Sequence, residues 1–200
     1  MSRIWAGILT TGPCTELKSL YHSSITDIEG QVNSTAQARQ VGTGMTVEEF
    51  MAKNLDKSPI AGSYKTIPQH VLFALGYTLK ETRAYVEPVV FDAQVEIDLM
   101  GAIPAGHCVG SRAIIEVDTK EGVSARAEIE VRAFRPGEVE HMAWSVEGLP
   151  HTRIRTERRD PAQATAACLF NRIPDVIAAP PGIVLISQMG PLRHSAMIKA

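Results

Sequence analysis

The residue pattern predicts an α+β fold: a mostly antiparallel or mixed β-sheet with helices packed on one face. Three observations point there. Strictly alternating sequence fills the middle of the chain, clearest from Val123 to Ala133. Helix-start signals flank that middle, at Thr46 and again at Asp160. No repeat, low-complexity tract or linker divides residues 1–200, so a single stand-alone domain is expected.

Residues 3–11 suit a short helix broken by Gly12-Pro13. Glu16 to Ile28 reads as a strand with polar groups on both faces. Such a strand lies at a sheet edge, or its inner face lines a polar cavity. Residues 30–44 are polar and end in Gly42-Thr43-Gly44. Thr46 can cap the next helix with Glu49 as its reciprocal capping-box partner, ending near Asn54. A loop through Ser58-Pro59 and Gly62-Ser63 precedes a second helix from Gln69 to about Leu75. Pro68 suits the first turn of that helix and Gly76 its end.

Arg83 to Ile97 reads as one extended segment kinked by Pro88, and His107 to Thr119 as another. Lys120-Glu121-Gly122 turns the chain into the Val123 strand, whose alanines, isoleucine and valines oppose Ser124, Arg126, Glu128, Glu130 and Arg132. In Val139 to Glu147, Met142, Trp144 and Val146 share a face with Glu140, and His141 is opposite. Gly148-Leu149-Pro150 turns into a last strand, His151 to Thr156. Asp160-Pro161-Ala162-Gln163 then combines an N-cap, a first-turn proline and a capping-box glutamine. The helix is expected to stop near Arg172, because Pro174 lacks a donor and biases Ile173 away from helix. Pro180-Pro181-Gly182 reads as a rigid reversal at a buried crossing point.

Hydrophobic residues at 44% and charged ones at 21% match an ordinary protein with a packed core. The net charge of −2 argues against nucleic acid or an anionic membrane held mainly by charge. Cys14, Cys108 and Cys168 are widely spaced, which favours buried thiols in a reducing compartment over a disulfide or metal. The apolar start is too short for a signal peptide and no run reaches membrane-spanning length, so a soluble, cytoplasmic chain is expected.

Neither G-x-G-x-x-G nor G-x-x-x-x-G-K-[ST] occurs, and Gly42-Thr43-Gly44 follows polar sequence rather than an apolar strand. No nucleotide-binding domain and no bound cofactor are therefore expected. The six histidines lie apart from one another and from zinc-type cysteine spacing, so no metal is expected. His107-Cys108 would point to opposite strand faces, a poor nucleophile and base.

The candidate catalytic residues are His22, His141 and Asp160, as proton carriers. His22 is either an edge-strand histidine or a pocket residue. His141 is exposed if the sheet is covered on one side only, and Asp160 is first of all an N-cap. Candidate substrate-binding residues are Tyr21, Trp144, Thr165 and Asn171. Trp144 belongs to a stripe that suits core better than a ligand cage, whereas Thr165 and Asn171 lie on or just after the Asp160 helix.

Several segments resemble the C-terminal part of 2,4-diaminopentanoate dehydrogenase and related dihydrodipicolinate reductase-like amine dehydrogenases. The most specific are Ala164-Thr165-Ala166-Ala167, Asn171-Arg172-Ile173-Pro174 and Ala178-Ala179-Pro180-Pro181-Gly182-Ile183. Thr11-Gly12-Pro13-Cys14, Val41 to Phe50, and Pro104-Ala105-Gly106 with Gly110 fit the same register. The resemblance implies a substrate-binding and dimerisation domain that follows a Rossmann domain for NAD(P)H in family members. That Rossmann half has no counterpart in these residues, and a naturally short paralogue fits better than a fragment.

The leading expectation is a cofactor-independent acid–base enzyme: an isomerase, cyclase or lyase acting on a keto-, amino- or carboxylate-bearing small molecule. One alternative is a non-catalytic dimerising or regulatory subunit. Another is the substrate half of a split dehydrogenase with a Rossmann-containing partner subunit. A homodimer is what the resemblance implies.

Overall fold

The computed structural model describes residues 3–194. Helix α1 (Arg3–Thr11) leads into β1 (Glu16–Asp27), after which four short helices follow: α2 (Thr35–Gln40), α3 (Val47–Ala52), α4 (Ile60–Tyr64) and α5 (Thr66–Ala74). The strands β2 (Leu79–Val90), β3 (Val95–Ile97), β4 (Gly101–Ile103), β5 (Cys108–Thr119), β6 (Ser124–Arg132), β7 (His141–Leu149) and β8 (Thr152–Glu157) come next, then α6 (Pro161–Ala178). A single 3₁₀ turn, Ile186–Gln188, lies in the strap after α6.

Six strands form one mixed sheet in the order β2-β5-β6-β1-β7-β8. Every neighbouring pair is antiparallel except β1 and β6, which run parallel. β3 and β4 form a separate hairpin over a smaller core of Ile28, Val89, Phe91, Ile97, Ile103, Val109 and Ala133. Helices α1, α4 and α5 cover one face of the large sheet, as expected.

Alternation decides what each strand buries. Along β6, Ala125, Ala127 and Ile129 face the helices, while Arg126, Glu128 and Glu130 face outward. The outward residues knit into ion pairs across strands, for example Arg112 to Glu130 at 2.7 Å and Arg83 to Asp118 at 3.2 Å. Exposed pairs of this kind contribute only a few tenths of a kcal/mol, up to about 1 kcal/mol. The core therefore rests on the helix-covered face, where Leu20, Val71, Leu72, Ile115 and Trp144 pack together. Gly7 sets the closest helix approach: a Cβ there would lie 2.9 Å from both Trp144 and Val71.

The Thr46–Glu49 capping box forms as expected, with Thr46 extended at φ −71° and ψ 163°. Asp160 adopts ψ 73° instead, so its side chain makes no cap bond and only its carbonyl receives Ala164 N–H. The polar stretch after β1 and the loop before α5 each fold a short helix, α2 and α4, that local patterning did not show. Pro88 stays within β2, and the extended stretch expected to Ile97 divides into β2 and β3.

Two expectations at the C-terminal end are corrected. Helix α6 runs through Pro174 to Ala178 rather than stopping near Arg172. The Phe170 carbonyl that loses its partner lies at a residue 58% exposed, where water can take up the bond. An Arg172–Asp175 ion pair at 2.7 Å spans the proline turn. The Pro-Pro-Gly reversal is not buried, since Ile183 just after it is 97% exposed. Among the described residues no helix is long and apolar enough to cross a membrane.

Candidate functional site

β1 lies at the centre of the sheet between β6 and β7, not at an edge. Its polar inner residues His22, Ser24 and Thr26 are therefore buried. In register, His22 sits between Ala127 and Trp144. Its ring lies 4.6 Å from the Trp144 ring, and its Nδ1 is 2.9 Å from the Ala143 carbonyl. A carbonyl only accepts, so Nδ1 carries the proton and Nε2 is the bare lone pair. That Nε2 is buried without a partner among the described residues, as are Ser24 Oγ and Glu140 Oε2.

Burial, and then the charge of Arg3, push the His22 pKa down to about 3, against a weaker upward pull from the Ala143 bond. The imidazole is neutral at physiological pH. It is enclosed and a very weak base, which fits a structural role better than proton transfer.

A cavity of about 390 Å³ opens between α1, α6 and the strap that follows α6, within the usual range for small-molecule pockets. Arg3 from α1 and Arg158, just past β8, line it on the sheet side. Thr165, Leu169 and Arg172 from α6 form another wall, and Ile186 and Leu192 of the C-terminal strap line it as well. The strap is tied down by the Trp5 indole, donating to Ile186 O at 3.0 Å, and by His70 Nε2, 2.8 Å from Ser187 Oγ. Arg172 adds a bond to Gly190 O at 3.1 Å. Trp144 Nε1 donates to Arg3 O at 2.8 Å, which fixes the start of α1 against the sheet.

The three guanidiniums differ in company. Arg158 pairs with the buried Glu140, and Arg172 pairs with Asp175. Arg3 forms no ion pair among the described residues, and its Nε is buried without a partner. Burial presses the Arg3 pKa below its ordinary value, Tyr64 opposes this, and Arg158 adds to it. An arginine stays charged regardless.

The sequence-predicted residues divide between two faces. Trp144 and His22 are buried on the helix-covered face and do not line the cavity, whereas Thr165 does. Asn171 is half-buried on α6 but does not line the cavity, and it lies within the helix rather than after it. Tyr21 and His141 are on the outer face; burial and then Glu128 raise the Tyr21 pKa, and His141 Nδ1 is 3.2 Å from Val139 O. Asp160 is exposed at the start of α6. The three proposed proton carriers are thus not brought together. Sequence reasoning missed Arg3, Glu140, Arg158 and Arg172. A lone charge in the apolar α1, and Glu140 on the Met142-Trp144-Val146 face, were the available signals.

Gly42 and Gly44 do not form a phosphate cradle. Gly42 packs against Phe50, which a Cβ would approach to 2.4 Å, and Gly44 N–H bonds to Cys108 O. These glycines pack the core and cradle no phosphate.

The profile of the 2,4-diaminopentanoate dehydrogenase C-terminal domain family matches residues 7–199. No protein among the curated sequences matches the chain. Among solved structures, the amine dehydrogenase from Mycobacterium smegmatis is similar at TM-score 0.79 and 25% identity, covering 94% of this chain and 55% of that one. The chain thus spans about half of that relative's length. UDP-N-acetylglucosamine 3-dehydrogenase GnnA from Acidithiobacillus ferrooxidans aligns at TM-score 0.33 and 12% identity, covering 82% of this chain and 46% of that one.

Proposed function

Because the chain belongs to the 2,4-diaminopentanoate dehydrogenase C-terminal domain family, we propose that it is the small-molecule-binding half of an amine dehydrogenase-type oxidoreductase. The nicotinamide nucleotide would be held by another domain. One observation carries this reading: α6 walls the cavity with one side and leaves apolar residues uncovered on the other. Ile177 is 80% exposed, with Phe170, Ile173 and Val176 beside it. A surface of that kind marks an interaction site, and nearly half of the amine dehydrogenase has no counterpart in this chain. A domain seated on α6 would cover the patch and bring a nucleotide to the cavity mouth.

The chain's own contribution is to bind and orient. Arg3 and Arg158 supply hydrogen-bond donors, Ile186 and Leu192 of the strap supply an apolar side, and Trp144 holds Arg3 in place. The cofactor-independent acid–base reading has less support, because it needs a proton carrier in the cavity. His22 is neutral and enclosed, while His141 and Asp160 lie elsewhere.

The test is to mix the purified chain with the separately produced nucleotide-binding half of the Mycobacterium smegmatis enzyme, and to follow NAD(P)H oxidation with a ketone and ammonia. Oxidation is expected only with both halves present, and Ile177→Asp should reduce it by weakening the joint. Turnover of a keto or amino acid by the chain alone, without nucleotide, would replace this reading with the acid–base one.

A further inference from the structure

We propose that α6 and the strap after it form one hinged flap, which lifts off the body as a unit and opens the cavity beneath. This goes beyond the binding role: it concerns how the cavity is entered, and it stands on the packing of this chain alone.

Burial divides the molecule. The helices that cover the sheet sink side chains into the core, such as Ala6 of α1 and Val71 and Leu72 of α5. Among the described residues none after Val146 is buried, so residues 162–192 lie on the body without entering its core. The gap in packing between the two is the cavity itself. Its body side includes Arg3, Ile4 and Ile67, and its flap side includes Cys168, Leu169 and Ile186. Atoms that face such a gap lose the dispersion contacts that close packing supplies. Segments with few buried apolar contacts open at the smallest free-energy cost.

One end of the flap has a hinge and the other a latch. Arg158 is clamped to the sheet: its N–H donates to Glu140 O at 2.8 Å, and its guanidinium pairs with the Glu140 carboxylate. The next two residues, Arg159 and Asp160, are exposed, and Asp160 makes no side-chain cap bond to α6. The chain turns there without breaking such a bond. At the far end, Trp5 Nε1 donates to Ile186 O at 3.0 Å, and His70 Nε2 lies 2.8 Å from Ser187 Oγ. These bonds from α1 and α5 meet the strap at adjacent residues, so losing one loosens the other. Arg172 donates to Gly190 O at 3.1 Å, which ties the strap to α6 and makes the two parts move together.

The experiment is amide exchange on the intact chain, read by mass spectrometry, with alkylation of Cys168 by a bulky maleimide in parallel. Once lifted, α6 is an 18-residue helix with an internal proline and no packing to hold it, so its amides exchange. In the unaltered protein, amides of residues 165–172 should exchange roughly a hundredfold or more faster than those of β5 and β6, which wait for global unfolding. Trp5→Phe keeps a ring but removes the donor. It should speed exchange in the strap and in residues 165–172, and alkylation of Cys168, by a common factor of roughly three to ten. Ser187→Ala should do the same from the strap side, should Trp5→Phe not fold. Ile115→Val weakens the core, which stays formed while the flap is lifted. It should therefore speed exchange in β5 and β6 by roughly threefold to tenfold and leave α6 unchanged. If α6 speeds up together with the sheet in Ile115→Val, it opens only by global unfolding and the flap is overturned. Faster exchange in the strap alone, in either latch variant, would show that α6 does not move with it. Unchanged Cys168 alkylation despite faster exchange would show that lifting does not open the cavity. No NAD(P)H enters these measurements, so their outcome is separate from that of the mixed halves.

Discussion

Replacing His22 by Phe should flatten the acid side of the stability curve. In the folded protein the imidazole titrates at about 3, against 6.5 for an unperturbed histidine. Between those values the unfolded chain binds a proton that the folded protein refuses, so stability rises with pH across that window and is lost as pH falls. At pH 5 the unfolded state gains about 1.5 pH units of protonation free energy, or about 2 kcal/mol, most of which is absent at pH 7. His22 is fully buried, so solvent screening does not reduce this figure. Phe keeps the stack on Trp144 but gives up the bond to Ala143 O, at a cost of about 1 kcal/mol that does not depend on pH. Urea denaturation at pH 7 and pH 5, for both proteins, separates the two effects. Carboxylates such as Glu138, whose pKa is lowered chiefly by its bond to Arg132, also weaken the protein in acid, but they do so in both. The wild-type loss between the two pH values should therefore exceed the His22→Phe loss by about 2 kcal/mol. Equal losses would mean that His22 takes up its proton in the folded state and is not sealed from water.

Two further predictions concern packing. Gly7→Ala places a Cβ 2.9 Å from Trp144 and Val71. The overpacking cost of about 1–3 kcal/mol should outweigh the helix-propensity gain of about 1 kcal/mol, so the urea midpoint should fall. A raised midpoint would show that α1 can move off the sheet at no cost. Pro174→Ala restores the donor to the Phe170 carbonyl inside α6 and should stabilise that helix by about 1–3 kcal/mol. Amide exchange at Val176, Ile177 and Ala178 should slow by roughly tenfold or more; unchanged exchange would mean that the proline does not limit the helix.

Much of the fold was legible because its signals act within a few residues. The alternation of β6, the Thr46–Glu49 box and the first-turn Pro68 all formed as the sequence implied. The Asp160 signal looked equally strong, yet its side chain does not cap, because the chain leaving β8 holds that residue at ψ 73°. Pro174 was read as a stop because the preference against helix is local. The freed carbonyl lies where water can reach it, and Arg172–Asp175 bridges the turn, so the helix continues.

The site was less legible for the same reason. Arg3, Glu140, Arg158 and Arg172 are far apart in the chain and meet only through the strand order and the α6 return. His22 could be read as an edge residue or as a pocket residue, since alternation reports which side of a strand it faces but not who pairs with that strand. By itself, the sequence determined the fold class, the family resemblance and most helix and strand positions, because dihedral preference and short-range patterning set them. The tertiary structure alone decided that β1 is central, that His22 is neutral, and that Arg3 faces a cavity without a partner. Those depend on contacts between segments more than a hundred residues apart, such as Trp144 with Arg3, where desolvation and charge, not local geometry, set the outcome.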